Sequence, residues 1–179
     1  MTVTTPTRVG HVKYDAYDVY VGRDYILGRG KERKVFKNVG WGNPYKNVNA
    51  VSMYRMFLMT RPDLFDRIPE LQGKTLACWC RRIGAQIPPN ALHYRCHGEV
   101  LAELADSTPL IRQMEFIIAD LTLRDAPREF WDIARNCKRH FSGIAQQQIT
   151  DALTSLLNRS VVIANRNAQY DHIATKYRK

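Results

Sequence analysis

Two stretches decide the fold class: Lys74-Thr75-Leu76-Ala77-Cys78-Trp79-Cys80 and His97-Gly98-Glu99-Val100-Leu101-Ala102-Glu103-Leu104-Ala105. The first is a short, mostly apolar run and reads as a buried strand; the second reads as a helix. Between them Arg81 to Arg95 carries Gly84 and Pro88-Pro89 and reads as a loop. Upstream, Asp15 to Val21 is rich in β-branched and aromatic residues and stops at Gly22-Arg23, a strand followed by a turn. Val51, Tyr54, Phe57, Leu58 and Phe65 have the spacing of an amphipathic helix, with a new helical turn at Arg61-Pro62-Asp63. Strand, helix, strand, helix is the rhythm of an α/β domain. The expected architecture is a small parallel or mixed sheet with flanking helices over residues 10–106.

Two segments near the start read as irregular. Met1 to about Lys13 is expected to be a flexible lead-in. Gly28 to Tyr45, with four glycines, a basic cluster and Gly42-Asn43-Pro44, is expected to be a long functional loop. Residues 107–179 read as a helical C-terminal region. Thr108-Pro109 caps a helix with the stripe Leu110, Met114, Ile117, Ile118 and Leu121. Asp125-Ala126-Pro127 opens a second with Phe130, Ala134, Cys137 and Phe141, stopped at Ser142-Gly143. Ile144 to Leu157 makes a third. A last helix after Ser160 would align Ile163, Tyr170 and Tyr177.

The 179 residues are 45% hydrophobic, 25% charged and 10% aromatic, which excludes a collagen-like or fully disordered chain. The longest apolar runs, such as Val161-Val162-Ile163-Ala164, fall far short of the ~20 residues a membrane span needs. Met1 to Gly10 has no apolar core of a signal peptide. The expected compartment is therefore the cytoplasm, and the four cysteines are read as reduced thiols, ligands or nucleophiles.

The net charge of +10 is uneven. Residues 1–100 hold 16 basic and 8 acidic residues, and the excess is densest at Arg29-Gly30-Lys31-Glu32-Arg33-Lys34-Val35-Phe36-Lys37. Residues 101–126 are net negative, and the C-terminal end is basic again. Lys and Arg surfaces release counterions from phosphates, so the natural partner is nucleic acid or a nucleotide.

Cys78-Trp79-Cys80, fifteen residues, then Cys96-His97-Gly98-Glu99 is the constellation that carries chemistry. Residues two apart in a strand face one side, which points Cys78 and Cys80 together near the strand's end. Cys96 and His97 open the next helix. Ligands of open α/β sheets bind at the carboxyl ends of strands, so all four converge on an expected site. Three readings stand open. Cys78, Cys80, Cys96 and His97 hold zinc, although one-residue spacing and an adjacent Cys-His pair differ from ordinary zinc knuckles. Alternatively His97, Cys80 and Cys96 are metal-free catalytic groups acting on a substrate held by Arg23 and Asn43. In the third, the cysteines pack the strand and His97 caps the helix. Cys137, on an apolar stripe, is expected in a core.

These residues also carry a resemblance. Val19-Tyr20-Val21-Gly22-Arg23, Trp41-Gly42-Asn43-Pro44-Tyr45, Tyr54-Arg55-Met56-Phe57-Leu58, Pro69 through Cys80, and Cys96 through Leu104 occur in that order. Over residues 15–106 the chain resembles the bacterial and phage family called domain of unknown function 4326. The resemblance implies a small α/β domain and frequent occurrence in phage genomes, and no settled activity. The connections Arg23–Gly42 and Cys80–Cys96 are longer than the family's usual ones. Residues after Thr108 lie outside it.

Other signals are weaker. The dinucleotide G-x-G-x-x-G spacing, the phosphate-loop motif and a hydrolase triad are all missing. Glu99 and Glu103 read as a solvated helix face. Tyr14, Tyr17, Tyr20 and Tyr25 accompany basic residues and could stack bases, although Tyr17 and Tyr20 suit strand faces better. The reading that results is a nucleotide- or nucleic-acid-processing enzyme of phage or bacterial type, acting at a base or glycosidic bond. Arg23, Gly42, Asn43, Tyr45, Arg33 and Lys34 are its expected ligand-binding residues. One alternative is a non-enzymatic nucleic-acid-binding protein with structural zinc. The other is a phage factor that binds a host protein through its C-terminal helices, with Trp131 and Tyr170 as anchors.

Overall fold

The computed structural model describes residues 5–47, 49–80, 96–124 and 127–172. The chain divides into two compact units, Met1–Asp106 and Ser107–Lys179.

The first unit contains β1 (Arg8–His11), β2 (Val19–Tyr20), β3 (Tyr25–Leu27), β4 (Lys34–Phe36), α1 (Ala50–Met59), α2 (Pro62–Phe65), β5 (Thr75–Cys78) and α3 (His97–Asp106). The main sheet is parallel with β5 at its centre, in the order β1-β5-β2. Leu76, Ala77 and Cys78 of β5 are buried in succession, so both faces of this parallel strand are covered and it takes a continuous apolar run rather than an alternating one. Helix α3 packs on β1, β5 and α1. Gly98 permits that approach, since a Cβ there would sit 3.1 Å from Val9 Cγ1. Tyr54 and Leu58 of α1, Ile68, Leu71, Leu76, Leu101 and Leu104 fill the core and are at most 2% exposed.

Three expectations for this unit are corrected. Arg8–His11 is a strand, not part of a flexible lead-in. The hydrogen bonds of Thr7 explain its placement: its N–H and hydroxyl both donate to the Asp106 carboxylate, at 2.9 and 2.6 Å. The start of the sheet is thereby tied to the last residue of α3, a partner 99 residues away that no local pattern reveals. The stretch expected as one long loop, Gly28 to Tyr45, holds the turn and second strand of the antiparallel hairpin β3–β4, whose first strand precedes it, with Tyr25 opposite Phe36 and Ile26 opposite Val35. The strand expected over 15–21 shortens to Val19–Tyr20.

The second unit contains α4 (Pro109–Arg124), β6 (Arg128–Glu129), α5 (Phe130–His140), α6 (Gln146–Asn158), β7 (Val162–Ala164) and β8 (Gln169–His172). Met114, Ile118, Ile133, Cys137, Ile149, Leu153 and Leu156 form its core, so Cys137 is a core residue as expected. The expected last helix is instead a hairpin in the antiparallel sheet β6-β8-β7. Ser160 takes a left-handed φ of 53° that ends α6, and the β-branched run that follows suits an extended chain. Asn165 makes the turn, its side-chain oxygen accepting from the N–H groups of Asn167 and Gln169. His172 Nε2 then lies 3.0 Å from Glu115 Oε1 of α4, both side chains fully buried. Tyr177, assigned to the same helix, and Asp125-Ala126 lie outside the described residues. Among the described residues no helix is long and apolar enough to cross a membrane.

Candidate metal centre

The parallel strand β5 ends at Cys78 and the chain turns at once through Trp79 and Cys80. The two cysteines do not share one strand face as expected. The turn brings Cys80 Sγ back to 3.0 Å from Cys78 Sγ. Cys96 stands directly before α3, with its Sγ 3.0 Å from Cys80 Sγ. His97 Nδ1 is 3.8 Å from Cys78 Sγ and 3.7 Å from Cys80 Sγ. The four donor atoms all lie within 4.8 Å of one another, a group that could hold a metal ion. Disulfides have S–S distances near 2.05 Å, and all four cysteines of the chain are free thiols.

The surroundings orient the donors. His97 Nε2 is 2.7 Å from the Val21 carbonyl oxygen. A carbonyl only accepts, so Nε2 carries the hydrogen and Nδ1 is turned to the sulfurs. Ligating histidines are ordinarily fixed this way, with the second nitrogen donating to a backbone carbonyl or carboxylate. The Tyr54 ring packs edge-on against the imidazole at 4.9 Å. Cys96 plays the role of a helix cap: its Sγ accepts the Gly98 N–H at 3.3 Å, and its own N–H donates to Glu99 Oε2 at 3.4 Å. Cys78, Cys96 and His97 are buried, whereas Cys80 is exposed.

Without a metal the cluster is strongly polarised. Contacts from the Cys78 and Cys96 thiols, with His97 alongside, hold the Cys80 thiol far below its usual range. The same contacts from Cys78 and Cys80, then burial, push Cys96 well above it. Burial alone would lower His97, but hydrogen bonds and charge from Cys78 and Cys80 raise it to about 10.

A cavity of about 1070 Å³ opens beside the cluster at the carboxyl edge of β2 and β5. Cys78, Cys80, His97, Trp79, Tyr25 and Tyr45 line it, together with the charges of Arg23, Asp24 and Lys46. The Trp79 ring belongs to an aromatic wedge, 4.5 Å from Tyr25, 5.7 Å from Phe36 and 5.5 Å from His11.

The residues expected to bind ligand divide into two groups. Arg23, Asn43 and Tyr45 border the cavity; Arg33 and Lys34 are exposed on the β3–β4 hairpin and do not. Arg23 is held by the protein itself: its Nε donates to the Asn43 carbonyl at 2.5 Å and its Nη2 to the Tyr45 carbonyl. Asn43 is a brace, its Nδ2 donating to the Ala50 carbonyl at 2.8 Å and its Oδ1 accepting the Tyr45 N–H at 2.9 Å. Gly42 donates its N–H to Asn38 Oδ1. Asn43→Ala is expected to cost about 1–3 kcal/mol, because two partly buried backbone groups lose a hydrogen-bond partner. The urea midpoint of the variant measures this, and an unchanged midpoint would refute the bracing role.

Glu99 and Glu103 do not form a solvated face. Glu99 is 4% exposed, and Glu103 takes a bidentate ion pair from the buried Arg55, at 2.7 and 3.2 Å. Sequence reasoning missed this pair and the Val21 carbonyl, since both join segments far apart in the chain. It also missed Glu99 as the cap of Cys96, although a Glu three residues after a capping residue is a local signal.

The molecule thus contains a small α/β domain with a Cys₃His cluster at the carboxyl edge of a parallel sheet. The chain belongs to the family described as Domain of unknown function (DUF4326), whose sequence model matches residues 7–107. The match takes in β1, which the motif order alone did not reach. The chain is also similar to "Uncharacterized protein R718" of Acanthamoeba polyphaga mimivirus, 32% identical over 114 residues, or 58% of this chain and 81% of that protein. No solved structure matches it.

Proposed function

We propose that this is a nucleic-acid-binding protein in which Cys78, Cys80, Cys96 and His97 hold a structural zinc ion that builds one wall of a nucleotide-sized cavity. The observation that carries the reading is the oriented His97 Nδ1 facing three thiol sulfurs, with its Nε2 bonded to the Val21 carbonyl. Cys₃His is a usual structural zinc set, and four protein ligands leave no open coordination position for a reacting water. Tetrahedral zinc about 2.3 Å from each sulfur separates sulfurs by about 3.8 Å, which small χ1 rotations of these side chains reach. The metal would pin the turn after β5 to the start of α3 and so fix Trp79 at the cavity. The charge of +10 and the aromatic, cationic lining favour a phosphate-bearing ligand with a stacking base.

Metal analysis and thiol counting test this together. The protein as purified should carry one zinc per chain and show almost no fast-reacting thiol. A chelator should release the zinc and uncover three of the four cysteines. Cys137, buried in the second unit with its thiol pushed up to about 11, should react only on full denaturation. Zinc-free protein with the same melting temperature would sink the proposal.

One observation favours a second reading, an enzyme with Cys80 as nucleophile: the exposed Cys80, its titration pulled down beside His97, borders the cavity. That reading requires turnover by metal-free protein, lost on Cys80→Ser. The zinc reading requires Cys80→Ser to weaken metal retention.

A further inference from the structure

We propose that the β3–β4 hairpin is a basic arm that enters the major groove of a B-form DNA duplex. This rests on the nucleic-acid reading above and names the surface and the partner.

The hairpin is a two-stranded sheet of its own, outside the parallel sheet. Isolated two-stranded ribbons are marginal in water, so this one needs an anchor. Its inner face supplies one: Phe36 packs on Tyr20 at 5.4 Å, and Tyr25 and Phe36 both pack on Trp79. At its base the Asn38 N–H donates to Asp24 Oδ1 at 2.6 Å. Among the described residues no aromatic ring covers the opposite face in this way. Ile26 and Val35, partners in register, are 49% and 50% exposed.

The tip concentrates charge. Gly28 and Gly30 have φ of 81° and 58°, and the Arg33 N–H closes a tight turn onto the Gly30 carbonyl. A Cβ at Gly28 would lie 2.8 Å from the Glu32 carbonyl oxygen, so the turn stays compact only with glycine there. Arg29, Lys31, Arg33, Lys34 and Lys37 are all exposed, with Glu32 the single acidic residue among them. A clustered positive edge beside two exposed aliphatic side chains is complementary to phosphates flanking base edges. A two-stranded ribbon fits the B-DNA major groove, about 12 Å wide, where aliphatic side chains meet thymine methyl groups. The deep, narrow major groove of A-form RNA does not admit it.

The test is fluorescence anisotropy of a short labelled DNA duplex, its RNA counterpart and its single strand, across a salt series. The full chain is compared with the variant R29A/K31A/R33A/K34A and with I26S/V35S. Zinc content and circular dichroism monitor folding, and all six positions are exposed and lie off the aromatic anchor. Each phosphate contact contributes about −0.9 to the slope of log K against log salt, so losing four should flatten the slope by about 3.6. I26S/V35S should weaken binding with the slope unchanged. A slope that the quadruple variant leaves intact overturns the inference, as does equal affinity for the RNA duplex or the single strand. If the unaltered chain binds no nucleic acid at all, the proposed function falls with it; if it binds and the hairpin variants bind equally well, only the arm is refuted.

Discussion

Cys78→Ser is expected to release the metal and unfold the first unit. The physical ground is one of magnitudes. Structural zinc contributes about 10–16 kcal/mol of apparent folding free energy in small metal domains. Whole domains are stable by about 5–15 kcal/mol, so a unit relying on the ion has little left without it. Losing one ligand of four also leaves Cys80, Cys96 and His97 as polarised groups in a largely buried place. Trp41, 1% exposed in this unit, reports the change as a red shift of its emission. Residues 107–179 form a separate compact unit with its own core, so part of the helical signal should survive. Acid should act in the same direction. Metal binding at Nδ1 displaces a proton that His97 otherwise keeps up to about pH 10. Affinity therefore falls at least tenfold for each pH unit of acidification below that point. A Cys78→Ser protein that melts at the original temperature would remove any structural role for a metal.

The second large effect is expected at Arg55. Its guanidinium, on α1, is 5% exposed and bonds both oxygens of Glu103, which is 16% exposed on α3. Such a pair adds little net stability over a well-packed apolar pair, because desolvation offsets the attraction. Removing one partner is different: it takes the bidentate contact from Glu103, which is largely buried, at a cost of up to about 3–5 kcal/mol. Arg55→Ala should therefore shift the urea midpoint strongly, and Glu103→Gln less, since an amide remains able to accept. Because α3 also begins with His97 and follows Cys96, Arg55→Ala should weaken zinc retention as well. Equal midpoints for Arg55→Ala and the unaltered chain would show the pair to be dispensable.

Much of this was legible in the residues. Apolar runs and helical stripes are short-range signals, and they located β5, α1, α3, α4, α5 and α6. The Cys/His constellation was visible as chemistry and as convergence at a strand end. What stayed hidden depends on partners far away in the chain. Arg8–His11 is too short and mixed to read as a strand alone; it becomes one because β5 lies beside it and Asp106 holds Thr7. Tyr25–Leu27 and Lys34–Phe36 are likewise brief, and the glycines and charges between them obscure their pairing. In the C-terminal hairpin, the seven-residue spacing of Ile163 and Tyr170 imitates a helix, while the Asn165 turn and the buried His172–Glu115 contact make it a ribbon.

The composition and local patterning of the chain dictate an α/β unit followed by a mainly helical one, a basic surface, and a cysteine-rich site at the end of a buried strand. Those properties follow from side-chain chemistry and periodicity, which act over a few residues. The geometry of the site arises from folding. The turn at Trp79-Cys80 replaces a shared strand face, the Val21 carbonyl selects the His97 nitrogen that meets the sulfurs, and Arg23 and Asn43 become braces. Each of these depends on backbone groups brought together across the sheet, where one hydrogen bond decides which atom of a side chain remains available for chemistry.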